Sequence, residues 1–444
     1  MTGMIRAAGR DQQDWSADYR VFSKGRFDPN QIFPIIIEQL LPYVPESEPL
    51  VIPIDDTNVR KSGRKIPGVA YRRDPMSPAF RANLIPAQRF IQASLSVPFA
   101  SGTGHASRAF PICFRHAPSV PRPSRSADSA TQAAYRKSCR EDNLSIRGVD
   151  VLHHCRAEID QQMGQNRTIV GCVDGSYTNR TVLRNIPERT TLIGRIRGDA
   201  KLFHPPTQQP VRGRKRDYGS LAMTPAQLLN DDTTPWQTVR IWASGEVREC
   251  QIKTIDRVLT PMAGPHTPVR LIVIRPLGYR LTKASRVLYR KPAHLICTDP
   301  EMNLEQAVQS YFRRWDIEVN HRDEKQLLGL GQAQVRAPRS AEMLPVFTVA
   351  TYSLMLLSAA ACYGLEAVIP PRQVPRWRTR AVAKQTRLTS GQIHEAIQCS
   401  NTRKRGRIDQ ANFTDFETHV ARHLKCQKSS LTHEQAVAYA TYPS

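Results

Sequence analysis

An α/β fold is what this sequence predicts: a mixed sheet flanked by helices, interrupted by a β-rich stretch and carrying helical additions at both ends. Three observations predict it. Short apolar and β-branched runs bounded by Gly, Pro and Ser follow in the order strand, strand, strand, helix, strand, helix, strand. The first and fourth of these strands end in Asp. The 444 residues are 40% hydrophobic, enough for a real core in two or three domains.

The elements follow in chain order. Residues 1–46 read as helical and partly basic. Asp28-Pro-Asn is placed to open a helix through Ile32, Ile36 and Leu40, packed on the domain behind it or touching DNA or a second copy. Residues 47–204 form the first part of the core. The run from Pro49 to Thr57 is a buried strand ending in Asp55 and Asp56, where acids can meet a ligand at the carboxyl edge of a sheet. Taken alone, Asp-Asp-Thr is equally a turn or a helix cap. Arg60, Lys61, Arg64 and Lys65 follow as a cationic loop around Gly63. Arg89–Pro98 and Arg108–Phe114 complete an antiparallel meander. Residues 116–130, rich in Pro, Ser and Arg, read as a loop, and a helical stretch leads to Gln165. Thr168–Asp174 is the second strand ending in an acid. Gly175 permits close backbone approach there, and Ser176 or Thr178 can cap the next helix. Thr191–Arg197 is a further buried strand.

Residues 205–300 change character. Pro205 and Pro206 break the chain, and Arg212, Arg214, Lys215 and Arg216 form a basic run. Short strands are expected at Thr238–Trp242, Val247–Lys253, Val269–Ile274 and His294–Cys297. Residues 301–365 return to helices. With no Pro or Gly between Asn303 and Leu328, that stretch can run as one helix. At about 100° per residue, Tyr311, Arg314, Glu318, Arg322 and Lys325 share one stripe, with Leu304, Val308 and Trp315 toward the same side. Arg314 and Glu318 alone would be an ordinary surface ion pair. The apolar run Leu344–Leu365 reads as a buried core helix, although its length also reaches the ~20 residues of a membrane span. Residues 366–444 are basic as far as Arg407, a tail that can wrap DNA. His419, His423 and Cys426 have helical spacing for zinc but lack a fourth ligand.

Composition narrows the partner. Lys plus Arg number 63 against 39 acids, a net charge of +24, which favours a polyanion, and nucleic acid over a membrane. The nine Cys show no CxxC pairing and suit a reducing cytoplasm. No apolar signal-peptide core is evident at the start.

The spacing Tyr311-x2-Arg314-x3-Glu318-x6-Lys325 resembles the signature of bacterial insertion-sequence transposases, the cut-and-paste branch of the DDE superfamily. Asp-Asp-Thr and Val-Asp-Gly resemble that family's first and second acidic motifs. The resemblance implies a ribonuclease H-like core interrupted by a β-rich insertion. It implies catalytic, metal-binding acids at Asp56, Asp174 and Glu318, with Asp55 open as the first ligand, and two Mg²⁺ or Mn²⁺ ions. It also implies DNA contacts from Tyr311, Arg314 and Lys325, joined by Arg322 and the Arg212–Arg216 run. Terminal inverted repeats and target DNA would be the partners of a homodimer, near the nucleoid of a bacterial cytoplasm. Family members often finish excision through a hairpin with a flipped base on a Trp, for which Trp236 and Trp242 are candidates, although buried structural roles suit both. A decayed, binding-only relative and a ribonuclease H-like nuclease without strand transfer are the rival readings.

Overall fold

The computed structural model describes residues 14–365, apart from 75–76, 79, 82, 208–212, 280–284 and 290, together with 390 and 393. Arg212, the basic tail from residue 366 apart from 390 and 393, and the His419/His423/Cys426 trio lie outside the described residues.

Helix α1 (Ser16–Arg20) leads to a 3₁₀ turn at Pro29–Gln31, whose N-cap is Asp28, and then to α2 (Ile32–Leu40). Asp28 thus opens the helical segment as expected, its carboxylate accepting from the Asn30 N–H at 3.0 Å. Strands β1 (Leu50–Arg60), β2 (Ala70–Arg73), β3 (Leu84–Pro98) and β4 (Ser107–His116) come next. Helices α3 (Ser129–Glu141) and α4 (Leu144–Ile159) lead into β5 (Ile169–Val173), α5 (Arg180–Leu183) and β6 (Thr190–Arg195). A short α6 (Pro225–Asn230) precedes β7 (Gln237–Ala243), β8 (Glu246–Thr260) and β9 (Gly264–Ile274). The small ladder of β10 (Gly278–Tyr279) and β11 (Leu288–Tyr289) stands apart, and β12 (Ala293–Cys297) rejoins the sheet. Helices α7 (Leu304–Arg313), α8 (Trp315–Gln326) and α9 (Pro338–Tyr363) complete the order.

The main sheet has ten strands in the order β2-β3-β1-β5-β6-β12-β9-β8-β7, with β4 on the outer edge of β3. β1, β5 and β6 are parallel, and their neighbours run antiparallel. Residues 237–297 continue this same sheet, because β12 pairs with the edge of β6. Two apolar layers hold the sheet. Leu50, Ile52 and Ile54 of β1 join Val151, Leu152 and Cys155 of α4 in one core. Val51, Val170, Cys172 and Ile193 join Ala307 and Val308 of α7 in the other. Strand alternation therefore assigns even residues of β1 to the α4 side and odd residues to the α7 side.

Helix α9 is apolar and long enough for a membrane span, but it is mostly buried in the fold, packed on β4 and α2. The stretch expected as one helix from Asn303 is two. Arg314 N–H bonds Tyr311 O at 3.1 Å, and Ile317 N–H bonds Arg314 O at 3.2 Å. These i→i+3 bonds tighten the turn and re-phase the helix beyond it. Trp315, expected inward beside Val308, is consequently 60% exposed.

An added Cβ at Gly148 of α4 would stand 2.7 Å from the Tyr177 ring, which is buried. Gly148→Ala is expected to cost about 1–3 kcal/mol by overpacking. Urea denaturation of the two proteins with an unchanged midpoint would contradict this.

Candidate active site

The site forms where β5 ends and its parallel pairing with β1 stops; β1 itself does not end in its acids as expected but runs on to Arg60, paired with β3. Pro53 is in register with Cys172, which brings Asp55 level with Asp174 one residue beyond β5. Both then fall on the face carrying Val51, Val170 and Cys172, the face covered by α7 and α8. Glu318 projects from the first turn of α8. Arg314, at the break between α7 and α8, links the acids. Its Nη1 lies 3.1 Å from Asp55 Oδ2 and 3.6 Å from Glu318 Oε1. The Arg314 and Asp55 side chains are each 15% exposed.

The electrostatics follow from this crowding. Burial, with Asp174, Glu318 and Asp56 adding repulsion against the pull of Arg314, pushes the Asp55 carboxyl up to about 7. Burial opposes charge on Arg314, but Tyr311, Asp55, Glu318 and Asp174 hold its proton more firmly than usual. Burial lowers Lys325, with Glu324, Glu318 and Asp55 opposing the shift. Burial raises the half-buried Tyr311 phenol, while Arg314 and Arg195 pull it down. Arg314, Glu318 and Lys325 thus stand beside Asp55 rather than Asp56, and Tyr311 stands beside Arg314. Asp174 Oδ1 accepts from Ser176 N–H at 2.9 Å and Ser176 Oγ at 2.6 Å. Ser176 therefore serves Asp174, while Asn179 caps α5.

Asp56 points to the opposite face. Its Oδ2 lies 3.4 Å from Arg89 Nε, and its Oδ1 accepts from the Tyr177 hydroxyl at 3.4 Å. Burial raises it, with Arg89 pulling the other way. Sequence reasoning missed Arg89 and Tyr177, since only strand register shows that Arg89 is a diagonal neighbour of Asp56 through the Asp56–Ile91 pair.

Other expected DNA contacts stand elsewhere. Arg322 is exposed and pairs with the buried Asp323 at 2.9 Å. Arg214, Lys215 and Arg216 are exposed on a loop, Arg214 being 3.5 Å from Asp217. Lys61, expected on a cationic loop, turns inward to donate to Ala333 O at 2.7 Å. Trp236 lies beneath Lys253 at 4.4 Å, a structural stack. Cations that the spacing did not mark gather instead in an open groove of about 1010 Å³ beside Arg314. It is lined by Arg195, Arg248, Arg275 and Arg313 and by Trp242 and Trp315.

Three carboxylates with no sulfur or imidazole among them suit a hard divalent cation. Among the described residues, no three His, Cys, Asp or Glu side chains converge closely enough to close a metal site as they stand. The Arg314 guanidinium is the cation set between Asp55 and Glu318.

The model of one protein family, described as DDE superfamily endonuclease, matches residues 1–257. No curated protein matches the chain.

Proposed function

This chain belongs to the DDE superfamily endonuclease family, and from that premise we propose that it is an insertion-sequence transposase of the cut-and-paste branch. Endonucleases of this superfamily act on DNA and generally use divalent metal ions. The finer reading is carried by one observation: Asp55, Asp174 and Glu318 gather around Arg314 where the parallel pairing of β1 with β5 stops. The strand order β4-β3-β1-β5-β6, with β1, β5 and β6 parallel, supports a ribonuclease H-like core. Its β-rich insertion would be the strands beyond β6.

Asp55, Asp174 and Glu318 would hold the metal, Mg²⁺ or Mn²⁺. Strand parity favours Asp55 over Asp56 as the first ligand, with Asp56 kept in place by Arg89 and Tyr177. When bound, two such ions neutralise the attacking and leaving oxygens of a phosphodiester and acidify the attacking water. The protein's own groups position the DNA. Arg314, relieved of balancing the acids, offers its planar fork to a phosphate, and Lys325 supplies a compact charge. The Tyr311 hydroxyl donates to a neighbouring phosphate oxygen. These contacts set register without reading bases. The cationic groove gives the DNA end a path to the acids. Water attacks the end phosphodiester and leaves a 3′-hydroxyl, which then attacks target DNA. The protein works as a homodimer bridging two terminal repeats in a bacterial cytoplasm, and α9 is a core helix.

A pre-cut end bearing a 3′-hydroxyl is expected to join a supercoiled plasmid in Mg²⁺, whereas a 3′-dideoxy end is not. Cutting of intact ends without any joining would favour the nuclease reading.

A further inference from the structure

One flank of α7 carries a polar stripe that the proposed reaction leaves unused. Glu305, Gln309 and Arg313 stand at i, i+4 and i+8 and share one face of the helix. Beside them runs β7, the last strand of the sheet, whose outer backbone N–H groups would otherwise stand open. Side chains of α7 close that edge. Glu305 Oε1 accepts from the Arg240 N–H at 2.8 Å, and Gln309 Oε1 accepts from the Trp242 N–H at 2.7 Å. The spacings match, since four residues of helix rise about 6 Å and two residues of strand about 6.8 Å. The same Gln309 oxygen accepts from the Gly104 N–H at 3.1 Å, in the turn between β3 and β4. Its Nε2 donates to Trp242 O at 3.4 Å. Gln309 is 2% exposed, so protein groups satisfy its amide. Two further bonds hold the turn. Arg313 Nη2 donates to Gly102 O at 3.4 Å, and the Gly102 N–H donates to Glu48 Oε1 at 2.7 Å. The turn also reaches the β7–β8 hairpin directly, where a Cβ added at Gly104 would lie 3.9 Å from Val247 of β8.

We propose that Gln309 is a positioning residue: it joins the β3–β4 turn and the β7–β8 hairpin into one rigid frame and so sets the alignment in which a DNA end enters the cationic groove. Each piece supplies a wall of that groove. Phe99, His105 and Ser107 come from the side of the turn, and Trp242, Ser244 and Arg248 from the hairpin. Gln309 lines the groove between them, and Arg314 follows little more than one helical turn later. Because one oxygen holds both Trp242 and Gly104, neither wall can shift without straining the bond to the other. A shift matters at this range, since misplacing a substrate by about 1 Å can cost about a hundredfold in rate. The frame rests on hydrogen-bond geometry alone, whereas what it aligns rests on the transposase reading.

Gln309→Glu keeps an acceptor for both N–H groups and sets a carboxylate one turn from Arg313, while Gln309→Met keeps the length and removes every bond. Hydrogen exchange of the full chain reads the frame. In Gln309→Met, the turn closed by Phe99 and Ala106 and the strand around Trp242 are expected to exchange together about tenfold faster, with α4 unchanged. Gln309→Glu is expected to stay close to wild type. Faster exchange in only one of the two segments, in neither, or equally throughout the chain would overturn the proposal. Cut position is the second readout. On end-labelled DNA, wild type and Gln309→Glu are expected to cut at one bond. Gln309→Met is expected to cut that bond about a hundredfold more slowly and to scatter cuts onto its neighbours. Slower cutting at an unchanged position would leave Gln309 a purely structural task and overturn the positioning role. If wild type cuts no DNA with either metal, the transposase reading falls, and hydrogen exchange still decides the frame.

Discussion

Asp55→Asn is expected to lower metal-dependent cleavage by roughly three orders of magnitude, and Asp56→Asn by no more than about tenfold. The adjacent pair separates because strand side chains alternate. Asp55 shares its face with Asp174, Glu318 and Arg314, while Asp56 looks to Arg89 and Tyr177 across the sheet. Losing one carboxylate that holds metal removes several kcal/mol of charge stabilisation, and about 4 kcal/mol corresponds to a thousandfold rate. Single-turnover cleavage of end-labelled DNA by the two variants checks this. The reverse ranking would return Asp56 to the site.

Arg314→Ala carries the second large effect. In the absence of metal it leaves Asp55 facing Asp174 and Glu318 without their shared cation. Breaking a buried pair by deleting one partner costs about 3–5 kcal/mol, and the residual exposure of this pair reduces that to roughly 2–3. Millimolar Mg²⁺ is expected to restore most of the loss, because a divalent ion supplies the missing charge. Cleavage would stay low, since the phosphate fork is gone. Arg314→Lys would keep the stability but not the bidentate grip. Chemical denaturation with and without Mg²⁺ measures both terms. An equal loss in the two conditions would mean that Arg314 has a purely structural task.

Much of this was legible locally. Most strands of the sheet lie where a β-branched run between turn residues placed them, although β2 was not expected, and the spacing from Tyr311 to Lys325 marked Arg314, Glu318 and Lys325, which lie beside Asp55. What escaped depends on partners distant in sequence. The choice between Asp55 and Asp56 needs the register of β1 on β5. The break at Arg314 occurs where its side chain reaches Asp55 across 259 residues, which no propensity encodes. The joining of β12 to β6 is likewise a long-range pairing. One signal was available and unused. Gln92, Ser94 and Ser96 alternate with Ala93, Leu95 and Val97, the period of a strand with one polar buried face. That face receives the polar side of α8.

The proposed activity is cleavage of DNA at the ends of the protein's own element by the three carboxylates gathered at Arg314. The most direct measurement is cleavage of end-labelled DNA spanning the inverted repeats that flank its gene, in Mg²⁺, in Mn²⁺ and in EDTA, with Glu318→Gln alongside. Cuts at the repeat boundaries are expected with either metal, none in EDTA and none from the variant. Boundary cuts that persist in Glu318→Gln, or repeat binding by both proteins with no cut under any condition, would contradict it.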